Sequence, residues 1–216
     1  MKIFIDFDDV LFNTKKFRTD YLNIFKKHGI SKKVFEVCYY SAVKSKKNIR
    51  QYNPVKHIER LTKLNNINPV ALQKDVINFV KDTSKYIFND VGIFLERFKK
   101  RDLIIASFSE TDFQKAKIVN SGITKNFHKV EIINELKSRI VGNLIKSEKL
   151  LADTDVYFID DRVEQLADVK QKFPQIKTIL LKRKEGRYND RKNKYCDFVC
   201  HNLEQAEKII LKFNGK

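Results

Sequence analysis

Short apolar runs alternate with helical patterns along the second half of the chain, and this alternation constrains the fold more than any other feature. The runs are typical of buried strands and cover residues 103–106, 130–133, 156–159, 178–181 and 198–200. One helical pattern between them ends at Gly122, which suits a left-handed cap, and another ends before Pro174. Repeated strand–helix units predict an α/β fold, with a Rossmann-like parallel sheet covered by helices on both faces.

Residues 13–89 interrupt this alternation, and their sequence pattern predicts helices. Four helices are predicted there, at about 15–29, 32–43, 54–64 and 69–86. Pro54 and Pro69 lie near the starts of the last two, where the fixed φ of proline suits the first helical turn. Because this stretch shows no strand pattern, we predict two domains: an all-helical insertion at 13–89, and a core formed by 1–12 and 90–216.

The composition argues against several classes of protein. A chain of 216 residues with 42% hydrophobic residues can bury a substantial core, and six Gly and three Pro are too few for a low-complexity or disordered chain. No apolar run approaches the length of a membrane span, and Asp6, Asp8 and Asp9 interrupt the N-terminal one. The three cysteines form no disulfide framework. We therefore expect a soluble cytoplasmic protein without membrane association.

The chain is strongly basic, with 44 Lys and Arg against 27 Asp and Glu and a formal net charge of +17. Such a charge favours an anionic partner, whether a small anionic substrate, nucleic acid or an acidic surface. However, Lys outnumbers Arg 34 to 10, as the amino-acid bias of an AT-rich genome would produce. The charge therefore supports an anionic ligand without establishing nucleic-acid binding.

Acidic pairs follow two of the predicted strands at the point where each strand ends. Asp6 and Asp8 come directly after the first apolar run, and Asp160 and Asp161 end the run at 156–159. Ligands of open parallel sheets bind beyond the carboxyl ends of the strands, so these carboxylates are expected to share one edge. That much negative charge is costly without a cation, and carboxylates suit Mg²⁺. The sequence therefore predicts a divalent-metal site at this edge.

Four short stretches together resemble the motifs of the haloacid dehalogenase-like superfamily. They are DFDDV at residues 6–10, the serine ending LIIAS, the lysine in ELKSR and the acidic pair in FIDDR, and they occur in the superfamily's order. Each motif alone is weak, whereas the ordered set is specific. The resemblance covers the whole chain: 1–12 and about 90–216 match the Rossmann-like core. Residues 13–89 fall where many members insert a helical cap.

The resemblance implies a role for each matched residue. Asp6 would be the nucleophile that forms an aspartyl-phosphate, and Asp8 would be the general acid and base. Ser107 and Lys137 would bind the phosphoryl group. Magnesium would be held by Asp6, the backbone carbonyl of Asp8, Asp160 and Asp161. Because the superfamily's dehalogenases lack an acid at the second position, Asp8 indicates phosphoryl transfer.

The resulting expectation is a magnesium-dependent phosphatase, specifically a phosphomonoesterase of a small phosphorylated metabolite or nucleotide. Two of the phosphoryl-binding roles have an alternative residue. Ser109 could take the role of Ser107, and Lys129 could take the role of Lys137. Gln165 falls where some relatives place a further acid. Asp9 falls where many carry glycine, and an aspartate there favours a tighter turn rather than a chemical role.

Two basic stretches, 44–52 and 182–195, have tyrosines in or near them, a pattern that also occurs in nucleic-acid binding proteins. A solvated lysine-rich face is the interpretation favoured here. The alternative function is a catalytically idle, basic module of the same fold that binds nucleic acid or a protein partner. The sequence leaves the substrate's identity and the oligomeric state open.

Overall fold

The computed structural model describes residues 1–40, 52–109, 111–148 and 154–213. It divides into two compact units. The sheet unit comprises Met1–Lys15, Ile87–Phe108 and Ile123–Lys216, and the helical unit comprises Lys16–Tyr86 and Ser109–Gly122. The boundaries predicted from the sequence, 1–12 with 90–216 and 13–89, stay a prediction.

Within the described ranges, the sheet unit contains six parallel strands in the order β3-β2-β1-β4-β5-β6. The strands are β1 (Lys2–Ile5), β2 (Leu103–Phe108), β3 (Lys129–Ile133), β4 (Val156–Asp160), β5 (Lys177–Leu181) and β6 (Phe198–Cys200). The predicted α/β, Rossmann-like fold is confirmed. Every strand expected from an apolar run is present, and the predicted N-terminal strand, β1, lies between β2 and β4 in the middle of the sheet.

The helices alternate with these strands after residue 90 and cluster before it. They are α1 (Thr14–Lys27), α2 (Lys32–Tyr40), α3 (Pro54–Leu64), α4 (Pro69–Phe79), α5 (Asp90–Glu96), α6 (Asp112–Val119), α7 (Ser138–Ser147), α8 (Val163–Lys172) and α9 (Leu203–Phe213). In the part of the chain that the structure describes, none of them combines the length and the apolar character that crossing a bilayer requires. The predicted cytoplasmic location stays a prediction.

The register of the sheet brings the ends of β1 and β4 side by side. Ile5 lies opposite Ile159, and the Asp6 N–H donates to the Ile159 carbonyl at 2.9 Å. The chain proceeds from β1 outward to β2 and β3, then returns to place β4 on the other side of β1. This reversal of direction is the topological switch point at which open α/β sheets bind ligands.

A contiguous apolar core fixes these strand ends. Phe4 on β1 and Phe158 on β4 are completely buried, with ring centroids 6.3 Å apart. Val141 on α7 and Leu166 on α8 belong to the same cluster, so both helices pack onto the sheet. Each such side chain contributes about 1.5–3 kcal/mol of burial free energy. The site-bearing ends of β1 and β4 therefore emerge from a rigid base.

The helical unit is held together by capped helices and an aromatic core. Asn53 and Asn68 accept backbone N–H groups at the starts of α3 and α4, and a proline occupies the first turn of each. Helix α4 ends at Phe79, earlier than predicted, because Asp82 accepts both the N–H and the hydroxyl of Ser84 and sets a separate turn. The aromatic core includes Phe17, Tyr21, Phe25 and Phe35.

His57 is buried in the helical unit, with only 1% of the residue exposed. Its Nε2 lies 3.1 Å from the Phe35 carbonyl and therefore carries the proton. Its Nδ1 consequently accepts from the Tyr52 hydroxyl at 2.9 Å, and Tyr52 accepts from the Tyr21 hydroxyl at 2.7 Å. We call Tyr21, Tyr52 and His57 the tyrosine–histidine chain.

Candidate active site

Lys137 joins the carboxylates that end two neighbouring strands. Its Nζ lies 2.7 Å from Asp6 Oδ1 and 2.6 Å from Asp160 Oδ2, and its side chain is 1% exposed. The parallel pairing of β1 with β4 sets the spacing of the two aspartates, which lie one residue past Ile5 and Ile159. The sheet thus builds a pair of carboxylates that a single ammonium group bridges.

The backbone at Lys137 is fixed by side chains of α8. Helix α7 has no side-chain N-cap of its own at this position. Instead, the N–H of Lys137 donates to Gln165 Oε1 at 3.4 Å, and the N–H of Ser138 donates to Asp168 Oδ2 at 2.9 Å. The competing residue, Lys129, has its Nζ 3.6 Å from Glu148 Oε1. The geometry therefore favours Lys137 over Lys129 as the lysine of the site.

Asp161 completes an acidic triad with Asp6 and Asp160. One carboxylate oxygen of each lies within 4.8 Å of the others, and all three residues are buried. The Oδ2 atom of Asp161 has no hydrogen-bond partner within the described chain, although it is inaccessible to solvent. A buried oxygen without a donor is costly, so this atom identifies a place where a positive group belongs. We call Asp6, Lys137, Asp160 and Asp161 the carboxylate cluster.

Electrostatics of the carboxylate cluster are dominated by burial and by mutual repulsion. Burial raises the pKa of Asp6 to about 7; Lys137 opposes this rise and Asp160 adds to it. Burial also raises the pKa of Asp161 to about 9, together with the charges of Asp160 and Asp6. Burial lowers the pKa of Lys137, but the two contacting carboxylates outweigh it and the net shift is upward. The cluster holds more negative charge than one lysine can offset.

These residues fit a hard divalent cation. Carboxylate oxygens are the ligands that Mg²⁺ takes in proteins, usually one or two of them with waters. The acidic triad could bind such an ion, and its charge would offset the repulsion that raises the pKa of Asp6 and Asp161. The unpaired Oδ2 of Asp161 supports this fit independently of any charge argument.

The structure places Asp8 and Ser107 in different surroundings. Asp8 is half-buried and accepts the Thr14 hydroxyl through Oδ1 at 2.8 Å. Its charge contributes to the raised pKa of Asp6. Ser107 is 1% exposed near the end of β2, whereas the competing Ser109 lies past the strand with φ of 78°. Thr14 escaped the sequence reasoning, because a threonine at a helix start ordinarily indicates an N-cap.

Two arginines of the 182–195 stretch form ion pairs with aspartates, while most of the stretch is exposed, and its interpretation as a solvated basic face stays a prediction. Arg183 is buried and forms a bidentate pair with Asp90 at 2.8 and 3.0 Å. Arg187 Nε lies 2.5 Å from Oδ2 of the fully buried Asp9. Both arginines are therefore committed to carboxylates of the same unit. Of the other basic stretch, residues 44–51 lie outside the described residues.

No family model and no curated protein matches the sequence. Solved structures do match its fold over nearly the whole chain. A haloacid dehalogenase-like hydrolase of Burkholderia xenovorans LB400 shares 14% identity with a TM-score of 0.73, covering 98% of this chain and 96% of that one. A HAD-hydrolase of Bacillus subtilis bound to magnesium shares 10% identity with a TM-score of 0.63, covering 97% of both chains.

The L-2-haloacid dehalogenase of Xanthobacter autotrophicus is also similar, with 12% identity, a TM-score of 0.60 and coverage of 97% of this chain and 98% of that one. The predicted resemblance to haloacid dehalogenase-like hydrolases is thus confirmed for the fold. The predicted membership of the phosphatase branch is not confirmed.

The prediction of a phosphomonoesterase is contradicted by these matches. Several of the similar structures are named as dehalogenases, and one of them holds covalently bound chloropropionic acid. These names specify chemistry at a haloacid rather than at a phosphate monoester, and a shared fold does not select the substrate. The magnesium-dependent phosphatase with an aspartyl-phosphate intermediate is therefore not retained, nor is its alternative, the idle basic module.

Proposed function

We propose that this protein is a hydrolase in which the carboxylate of Asp6 attacks a small substrate and forms a covalent intermediate, with Mg²⁺ bound at the acidic triad. The observation that carries the proposal is the bridge from Lys137 to both Asp6 and Asp160, beside the unpaired oxygen of Asp161. Carboxylates act as covalent nucleophiles where neighbouring groups orient them and control their charge.

The two oxygens of Asp6 are not equivalent. Oδ1 accepts both the Phe7 N–H, at 2.7 Å, and the Lys137 ammonium, at 2.7 Å. Donors on one oxygen fix the plane of the carboxylate and draw negative charge to that side. Oδ2 is therefore the oxygen that attacks, and Lys137 favours the ionised form of Asp6 by opposing the effects of burial and of Asp160 on its pKa.

Asp8 supplies the proton for the leaving group. Its carboxyl group is oriented by the Thr14 hydroxyl at 2.8 Å, so its position does not depend on the carboxylate cluster. In the first step Asp8 gives its proton to the departing atom, and in the second it takes one from the water that releases the product. A leaving group that needs a proton, such as an alcohol oxygen, uses this residue fully. A halide leaves without it.

Ser107 and the cation complete the proposed site. Ser107 is buried near the end of β2, the strand next to β1, where its hydroxyl would hydrogen-bond the group under attack. Bound Mg²⁺ would be held by Asp6, Asp160 and Asp161 and would supply charge compensation at the reacting centre. We keep a small-molecule substrate in this proposal, while nucleic-acid binding stays an unfavoured prediction.

Trapping the covalent intermediate tests the proposal. The purified protein with Mg²⁺ would be mixed with each compound of a panel that contains 2-haloacids and esters formed from alcohols and several acids. Each reaction would be quenched within milliseconds, and the protein would be digested for mass spectrometry. We expect an added mass on the peptide containing Asp6 for at least one alcohol ester, and none in Asp6→Asn. Turnover without any adduct, or an adduct that persists in Asp6→Asn, would refute the nucleophile.

A further inference from the structure

The turn that follows β1 is held in an unusual backbone conformation. Asp9 has φ of 58°, in the left-handed region that residues other than glycine occupy at a cost of about 1 kcal/mol or more. Its N–H donates to the Phe12 carbonyl at 2.8 Å, and the N–H groups of Leu11 and Phe12 donate to the Phe7 carbonyl. Asp8 lies inside this turn, so the conformation of the turn determines where its carboxyl group points.

Arg187 neutralises the one charge that this turn buries. The Asp9 side chain is 0% exposed, and Arg187 Nε lies 2.5 Å from its Oδ2. Removing one partner of a buried ion pair is strongly destabilising, so we expect replacement of Arg187 to destabilise the turn that holds Asp9. The charges of Asp8 and Asp9 both act on Arg187 and raise its pKa against the effect of burial.

A second arginine of the same segment contacts the same turn. Arg183 Nε donates to the Val10 carbonyl at 2.9 Å, while its other nitrogens pair with Asp90. Three residues separate the two arginines, and each arginine contacts a different residue of the turn. Arg183 is anchored to α5 through Asp90, so it provides a fixed point from which Arg187 reaches Asp9.

We propose that Arg187 is a positioning residue that acts through Asp9 to fix the turn carrying Asp8 and so directs the Asp8 carboxyl group toward the leaving group. This inference rests on the proposed function, in which Asp8 is the proton donor. Arg187, which lies far along the chain in the basic stretch 182–195, would thereby support the chemistry at the end of β1.

Amide hydrogen exchange tests the positioning without any substrate. In Arg187→Met we expect amides of residues 9–12 to exchange at least about tenfold faster, because opening the turn becomes easier. Amides of β2 provide the internal reference, and Arg191→Met, an exposed arginine of the same segment, is the matched control. Asp9→Asn should give the same acceleration. Unchanged exchange in both Arg187→Met and Asp9→Asn would overturn the proposal.

Kinetics then separate positioning from a general structural role. Loss of a directed proton donor slows substrates with basic leaving groups most, so aryl esters of graded leaving-group basicity are the probes, on whichever acid the substrate panel identifies. Arg187→Met should lower kcat about tenfold for the most basic leaving group and little for 4-nitrophenol, with KM nearly unchanged. In an Asp8→Asn background, Arg187→Met should have no further effect.

Each outcome points to a distinct failure. If Asp8→Asn shows no dependence on the leaving group, the proposed acid is wrong and the inference falls with it. If Asp8→Asn shows the dependence but Arg187→Met slows all esters equally, the proposed function stands and the positioning role is refuted. Arg187→Lys replaces Arg187→Met if the latter does not fold. Because lysine keeps the positive charge, we expect Arg187→Lys to show the same dependence of kcat on the leaving group, with a smaller decrease.

Discussion

The carboxylate cluster of the sheet unit and the tyrosine–histidine chain of the helical unit are both buried polar groups, yet they differ in how they are satisfied. In the tyrosine–histidine chain, each hydroxyl and each ring nitrogen has a hydrogen-bond partner. The bonds run from Tyr21 through Tyr52 and His57 to the Phe35 carbonyl. All of its members are neutral. In the carboxylate cluster, two of the three carboxylates contact the Lys137 ammonium group, and Asp161 Oδ2 has no donor among the described residues.

This difference teaches that burial of polar groups does not by itself indicate function. A fully paired neutral network stabilises and orients the core around it. Charge that the surrounding protein leaves uncompensated is expensive to maintain, and its natural explanation is a ligand or a reaction that uses it. By this criterion we propose the carboxylate cluster as the functional site and interpret the tyrosine–histidine chain as structural.

Replacing Asp6 should have the largest effect on activity of the substitutions that test this comparison. Asp6→Asn should reduce turnover of any substrate found in the screen by at least about 10³-fold, because an amide cannot replace a carboxylate nucleophile. Circular dichroism should show an intact fold. Asp75→Asn, a half-exposed aspartate of the helical unit, is the control and should retain full activity. Retained activity in Asp6→Asn would remove the nucleophile from the account.

Lys137→Met should produce the largest loss of stability. It removes the ammonium group that, among the described residues, contacts both Asp6 and Asp160, and breaking a buried ion pair costs about 3–5 kcal/mol. The loss should be smaller at pH 5 than at pH 8, since protonation neutralises carboxylates whose pKa is raised. Urea unfolding measures both values. Lys208→Met, which removes an exposed ion pair with Glu204, should leave stability unchanged. Equal losses in the two variants would contradict the account.

The contribution of His57 to stability should also fall at low pH, but because the histidine itself becomes protonated in the unfolded chain. Burial lowers the pKa of His57 from 6.5 to about 4 in the folded state, so the unfolded chain binds a proton first as the pH falls. Stability from this residue is complete above pH 6.5 and is lost toward pH 4; the loss at pH 5 is about 2 kcal/mol.

The measurement compares the wild type with His57→Gln, since glutamine cannot protonate in this range. We expect the difference in unfolding free energy between the two proteins to shrink from pH 7 to pH 5. A constant difference would show that His57 does not exclude the proton. Because other groups also titrate, only the difference between the two proteins is informative.

The sequence was sufficient to predict most of the fold. Apolar runs and turn residues located each strand, since both are local properties of the chain. The ends of helices were less accurate: α4 was expected to reach residue 86, but the hydrogen bonds of Asp82 to Ser84 end the helical run and start a new turn. Such side-chain competition with the backbone is a matter of geometry that hydrophobic periodicity does not record.

The site was predictable only where chemistry follows directly from strand ends. Asp6 and Asp160 come together because β1 and β4 are neighbours in a parallel sheet. Arg187 contacts Asp9 across 178 residues of sequence, and no local pattern distinguishes it from the other basic residues of its segment. The burial of His57 likewise depends on packing between helices. Ion pairs between residues far apart in the sequence could therefore not be predicted from local sequence patterns.

The central claim is that the carboxylate cluster leaves a charge deficit which a divalent cation fills, and calorimetric titration with Mg²⁺ tests it most directly. The comparison uses the wild type, Asp161→Asn and Asp155→Asn; Asp155 precedes β4 and pairs with Lys177, so it is the control. We predict that the wild type and Asp155→Asn bind Mg²⁺ equally, and that Asp161→Asn binds it at least about tenfold more weakly. Equal Mg²⁺ binding by the wild type and Asp161→Asn, or no binding by the wild type, would contradict the account.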